Sequence, residues 1–436
     1  MSADPSSIAR DPRLPLRLFH GYRQKTGQSL GVWLVVALLN FATQLVFCHE
    51  LTRHPGEFGL FNTALGITGL AAVPLLALNQ AFTLYFAREH APERRERVES
   101  IRAVSLFVTE ASALAWVILL IPLLGKLLPL LGVYRFQAEL FTVLVAAVTL
   151  GALVSEAASF NHLRLWTGLA VSASLARLGA GAFLGHSQPW AESGLGAFFL
   201  AGLITLIPAL RQRQIERDWR KAWQALRDRD FLIHLGATLS TVLAIFLFTS
   251  ADRIVALSHF IDPFNNLGRV DLNLFDGYQT AGLLSRALLW GTQPLLLLLY
   301  AARSPLQKTS AASLTFFWIY LGALFGGVIL LILVAPWLSR LFCGSANDYH
   351  STVFYLPGFA LTMLPLGLLQ GLAIFSLASR RHPECFVLGG SSLAYLLLLW
   401  FAGQPVYMLA FMVGGGIVSS MLVLFVGVVR WGRRQP

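Results

Sequence analysis

Three ionisable side chains, Glu110, Arg177 and Arg286, fall inside long apolar runs of this 436-residue sequence. A charge at the centre of a bilayer costs about 2.5–3.5 kcal/mol on insertion scales, so each needs a partner or a task. Arg286 lies ten residues past Asp276, where its run begins, and the helical rise puts it about 15 Å deep, near the midplane. It reads either as a substrate-binding or gating cation, or as half of a structural pair with an acid such as Glu110. Arg177 lies thirteen residues in from Arg164, roughly 20 Å from the cytosolic side, where its long stem also lets it snorkel. Glu110, about two turns into its run, reads as a counter-ion or a protonatable coupling site. Asn40 and Gln44, an i, i+4 pair, and Asn79 and Gln80 either line a hydrated cavity or join helices by hydrogen bonds. Asp252 and Arg253, at the outer end of their run, are expected to reach interfacial water.

Familiar catalytic constellations are absent. His49, Glu50 and His54 read HExxxH, one residue too long to place both imidazoles on one helical face as a zinc site requires. Neither a phosphate-binding G-x-x-x-x-G-K-[ST] loop nor a G-x-S-x-G elbow occurs. Cys48, Cys343 and Cys385 are far apart, without CxxC spacing, and are expected to pack in helices. No cofactor is expected, and the chain is not expected to be an enzyme.

The elements that must hold these residues are membrane helices. The sequence is 56% hydrophobic and 13% charged, against about 25% charged in soluble chains. Its apolar residues come in unbroken runs instead of the alternation of a β-barrel. A ruler of about 20 residues per crossing gives about twelve spans, near 28–48, 59–86, 102–124, 137–158, 163–185, 193–210, 232–251, 276–300, 312–337, 353–377, 384–402 and 405–429. The net charge of +11 argues for topology and not for nucleic acid, because the basic residues lie between the runs. With the N-terminus inside, 25 of the 33 Lys and Arg fall on cytoplasmic segments, which favours an even span count with both termini cytoplasmic. Residues 1–27 then form a basic cytoplasmic tail, without the apolar core of a signal peptide, and 430–436 form a second tail.

The longest polar stretch, 211–230, divides the chain into an N-lobe over 28–210 and a C-lobe over 231–429, six spans each. Ile215, Trp219, Ala222, Trp223 and Leu226 form one apolar stripe under a basic face, the pattern of a helix lying on anionic lipid. The second span of each half echoes the other: Phe61-Asn-Thr-Ala with Pro74 and a closing Leu84-Tyr-Phe-Ala-Arg88, against Tyr278-Gln-Thr-Ala with Pro294 and Leu299-Tyr-Ala-Ala-Arg303. Paired mid-span prolines at corresponding positions predict hinges beside a central site.

The segment Gly56 to Arg88, opening with Gly-Glu-Phe-Gly and closing with Ala-Arg, resembles the first loop and second helix of polysaccharide flippases of the Wzx type. These lie within the multidrug/oligosaccharidyl-lipid/polysaccharide (MOP) exporter superfamily. A second stretch, Ala251-Asp-Arg-Ile-Val255 followed by Gly277-Tyr-Gln-Thr-Ala281, is similar to that family's later DR and G-x-Y-x-x-A segments. Residues 256–275 form a longer spacing than the family's, as an outer insertion would. The resemblance implies an all-α integral membrane protein of the bacterial cytoplasmic (inner) membrane, with two six-helix lobes around a central cavity. It further implies a polyprenyl-linked glycan as the substrate, moved by alternating access in polysaccharide biosynthesis, with membrane lipids and polysaccharide assembly enzymes as partners. Arg286 and Arg177 suit an anionic pyrophosphate head by type and depth. Alternatives are a cation-coupled multidrug exporter of the same superfamily, a membrane-embedded glycan polymerase or ligase, and a non-transporting scaffold.

Overall fold

The computed structural model describes residues 31, 35–86, 118–119, 122–123, 125–126, 163–187, 190–211, 227, 229–260, 272–302, 310–342, 346–379, 381–402 and 404–432. Glu110, the tail 1–27, residues 433–436, nearly all of the expected span 102–124, all of the expected span 137–158, most of 211–230 and the 261–271 part of the outer segment lie outside them. Among the described residues every regular element is helical. In chain order the long helices are α1 (Val35–Leu51), α2 (Glu57–Phe86), α3 (Leu163–Ser187), α4 (Ala191–Arg211) and α5 (Arg229–Phe260). They continue with α6 (Leu272–Ala302), α7 (Ser310–Phe342), α8 (Ala346–Ala378), α9 (His382–Trp400) and α10 (Pro405–Gly432).

Ten of the expected spans coincide with these helices to within a few residues at most ends. The larger differences are overhangs: α5 runs to Phe260, and α8 starts at Ala346. A hydropathy ruler measures the hydrocarbon thickness, whereas a 32-residue helix such as α5 is about 48 Å long and continues into the polar zone. Within α5, α7, α8, α9 and α10, five stretches are long and apolar enough to cross a membrane. Neither expected hinge interrupts its helix: α2 is continuous through Pro74 and α6 through residue 294. Pro357 and Pro365 are likewise accommodated inside α8, and Pro336 inside α7.

Cross-contacts sort the helix ends onto two faces. On one, the Glu57 carboxylate at the start of α2 accepts the Ala191 N–H at the start of α4. On this face Asp276 of α6 also meets the same end of α2, and Gly277 packs on Ser351 of α8. The opposite face holds the start of α5 and α9, where His234 and His382 lie edge to face at 5.8 Å. There Arg430 of α10 donates to Glu384 of α9 at 3.0 Å. Alternating chain direction from helix to helix produces this sorting.

Packing is aromatic in both halves. Phe47, Phe61 and Phe198 join α1, α2 and α4, with ring centroids 4.8 and 5.9 Å apart. In the second half Tyr278 of α6 meets Phe359 and Tyr355 of α8 at 4.7 and 5.4 Å. Buried threonines return their hydroxyls to the carbonyl four residues back, as Thr68 does to Ala64 and Thr241 to Ala237, so they need no other partner. By contrast α7 and α10 expose Leu333, Trp337, Phe425 and Val428, the outward apolar surface that lipid requires.

Candidate functional site at the boundary between the halves

The two sequence stretches that carry the resemblance, nearly 200 residues apart in the chain, meet in space. One face of α2 is built from small residues, Gly59, Thr63, Gly66 and Gly69, which lets the α5 and α6 backbones come close. A Cβ on Gly59 would lie 2.1 Å from the Phe275 ring, one on Gly66 3.0 Å from Ile254, and one on Gly69 2.5 Å from Phe246. Glycine is therefore required at Gly59 and Gly69 for this approach. Gly56 has a φ of 90°, a left-handed conformation that turns the chain out of α1 and into α2.

Asp276 fastens this junction. Its carboxylate, 0% exposed, accepts the Gly56 N–H at 2.6 Å and the Gly59 N–H at 2.7 Å. These are backbone donors of the first turn of α2, which have no partner within the helix, and the positive end of the helix dipole favours a carboxylate there. The cap thus reaches from the second half to the first. One turn deeper, the Arg253 carbonyl accepts from Thr63 Oγ1 at 3.0 Å and from Gln279 Nε2 at 3.2 Å, again joining both halves. Cys48 Sγ of α1 lies 3.5 Å from Thr280 Oγ1 of α6.

Beneath the junction lies a buried charged cluster. Arg286 of α6 is 1% exposed and pairs through Nη2 with Asp252 of α5, also 1% exposed. Its Nε donates to the Thr249 carbonyl at 2.5 Å, and its guanidinium lies 5.7 Å from the Phe359 ring centre. Arg253, 9% exposed, donates from Nη2 to Ser250 Oγ at 2.6 Å. Asp252 thus pairs with Arg286, while Arg253 bonds a neutral hydroxyl. Arg253 Nε, Arg286 Nη1 and Asp252 Oδ1 are buried without a hydrogen bond among the described residues.

A second cation sits in the first half. Arg177 of α3 donates from Nη1 to Asn40 Oδ1 of α1 at 3.2 Å, and its guanidinium lies 4.8 Å from the Phe198 ring centre. Ser174 Oγ also approaches Asn40 Oδ1, at 3.4 Å. Gln44 follows Asn40 on α1, its buried Oε1 without a bond among the described residues.

The structure brings Arg177 and Asn40 together with Gln44 on the next turn, and places Arg286 with α5. The acid beside Arg286 is Asp252, a group the sequence reading had sent to interfacial water together with Arg253; both are buried because α2 and α6 cover that end of α5. The Gln80 side chain lies outside what is described, as does that of Pro294. Of the HExxxH residues, Glu50 bonds Arg53 at 2.9 Å, and the His54 ring stacks on Trp190 at 4.7 Å. Sequence reasoning missed the roles of Asp276 and Glu57; the one available signal was their position, Glu57 inside the first motif stretch and Asp276 just before Gly277 of the second.

No family model matches the chain, and no curated protein matches it in sequence. Solved structures do match it in fold. The Vibrio cholerae MATE transporter VcmN, as a single-residue mutant, aligns with a TM-score of 0.65 at 15% identity, covering 94% of this chain and 97% of that one. The lipid II flippase MurJ in an inward closed conformation aligns at 0.60 and 14% identity, covering 90% and 87%. A MOP superfamily transporter from Pyrococcus furiosus, described as having a binding pocket of reverse polarity that suggests a different function, aligns at 0.58 and 12%, covering 92% and 93%. The chain has the fold of these transporters over nearly its whole length.

Proposed function

We propose that the chain is a flippase that carries a lipid-linked oligosaccharide across the bacterial cytoplasmic membrane for polysaccharide assembly. In this reading the N-lobe and C-lobe rock about the α2–α5–α6 boundary, both termini stay in the cytoplasm, and the polyprenyl tail remains in lipid while the head crosses between the lobes. The observation that carries it is the set of buried guanidiniums. Arg286 and Arg253 lie together beneath the α2 cap, and Arg177 rests on the neutral Asn40, so the interior offers N–H donors suited to an anionic pyrophosphate. Pro74 and Pro294 are proposed as hinge positions within helices that run on through them.

The fold is shared by a multidrug-type transporter and a lipid flippase, so export of cationic compounds is the second reading. Such cargo favours carboxylates open to it, whereas Asp252 is held by Arg286 and Asp276 by the first turn of α2. Translocation of polyprenyl-pyrophosphate oligosaccharide in proteoliposomes decides between them, with a cationic dye as the rival cargo. Wild type is expected to expose glycan on the far leaflet, and Arg286→Ala, matched for insertion, is expected to lose it. Dye transport without glycan translocation would replace the flippase reading with the exporter.

A further inference from the structure

We infer that Arg253, and not Arg286, is the guanidinium that contacts the anionic head of the cargo; the assignment rests on the flippase reading above. The two arginines differ in what holds them. Arg286 is held by an acid: Asp252 takes Nη2, the Thr249 carbonyl takes Nε, and Phe359 lies beside its guanidinium, all from α5 and α8, which leaves Nη1 alone without a bond among the described residues. Its surroundings belong to the second half alone, so separating the lobes leaves them unchanged.

Arg253 is bound otherwise. Its Nη2 has a neutral hydroxyl, Ser250, one turn back on its own helix, and its Nε is buried without a bond among the described residues. Its Cβ points at α2: a Cβ on Gly66 would come within 3.8 Å of it. Gly66 belongs to the first half. When α2 moves away from α5, the flank of α5 that carries Arg253 becomes part of the wall between the lobes, with a guanidinium that has no acid of its own. A planar fork with free N–H donors is the group that binds phosphate oxygens in pairs. With the lobes together, Thr63 and Gly66 cover the site, and the Arg253 carbonyl is the acceptor that joins the lobes. The same residue therefore closes the boundary through its backbone and offers its side chain when the boundary opens. Arg286 acts as a positioning residue, holding Asp252 so that this carboxylate does not neutralise Arg253.

Inorganic pyrophosphate is the probe, measured against the full-length protein in nanodiscs at low ionic strength. Arg253→Gln leaves the backbone carbonyl, and hence the Thr63 and Gln279 bonds, in place. It should weaken pyrophosphate binding by about tenfold or more, the size of a lost hydrogen bond to a charged group. Arg253→Lys should keep part of the affinity, and Arg286→Gln should lower the unfolding temperature and also weaken pyrophosphate binding, because Asp252 is then released to pair with Arg253. In the unsubstituted protein, pyrophosphate should slow phenylglyoxal modification of Arg253, read by mass spectrometry, a measurement that does not depend on a variant folding. Unchanged affinity in Arg253→Gln, unprotected Arg253, or no pyrophosphate binding by wild type would each overturn the assignment. Pyrophosphate bound through Arg253 in a protein that translocates no lipid-linked glycan would keep the site and remove the flippase reading. Glycan translocation unaffected by Arg253→Gln would do the reverse.

Discussion

Asp252 shows how one side chain decides the meaning of its neighbours. Removing one partner of a buried ion pair leaves the other charge uncompensated in a medium that cannot solvate it, a cost of about 3–5 kcal/mol. Asp252→Ala is therefore expected to lower the unfolding temperature in detergent markedly. Arg286→Gln combined with Asp252→Asn should cost less than the two single changes together, because neither member of the pair is then left charged without the other. Additive losses would mean that the pair is not the unit described here. The sequence made Arg286 conspicuous because a charge in an apolar run is visible from composition alone. It hid the identity of the partner, since Asp252 stands near the end of its own run, and burial there depends on what α2 and α6 place over it. Arg177 was legible in the same way, and its bond to Asn40 was not, because a span pattern says nothing about which faces of α1 and α3 meet.

At the level of helices, most of the fold was legible and the junctions were not. Span positions follow from hydrophobic length, which each helix carries in its own residues. The approach of α2 to α5 and α6 depends instead on Gly59, Gly66 and Gly69 falling on one face opposite residues nearly 200 positions away, and no local pattern reports that. Two predictions belong here. Gly59→Ala puts a methyl into the Phe275 ring, so α2 must move off α6; a disulfide engineered between position 60 and α6 should then form more slowly than on the parent background. Asp276→Ala removes both acceptors that cap α2 from across the boundary, and two charge-assisted bonds are worth about 1.5–3 kcal/mol each. Asp276→Asn, which keeps an oxygen but loses the charge, should fall between Ala and wild type in the same cross-linking assay. Equal rates in all three would show that the cap contributes nothing to closure.

For the whole molecule, the caps and the small-residue face have one joint consequence. Every bond described here between α2 and the second half, Gly56 and Gly59 to Asp276 and Thr63 to Arg253, lies at the end of α2 that begins at Glu57. The molecule is thus fastened at that end of α2. In the flippase proposed above, this is the outer face, and opening it would break the Asp276 cap, nearest the loop, before uncovering Arg253 one turn below. His49 at the end of α1 and His350 near the start of α8 are both exposed on this face, one in each half, and suit paired spin labels. Wild type should give one short, narrow distance distribution between them. Asp276→Ala should add a longer component, because two lost bonds of this kind are enough to move a closed population by tenfold or more. Pyrophosphate added to Asp276→Ala should increase that longer component further, by binding the guanidinium that opening exposes, and should not do so when Arg253→Gln is also present. A longer component that ignored Arg253 would separate the latch from the anion site and leave the two as independent features of one fold.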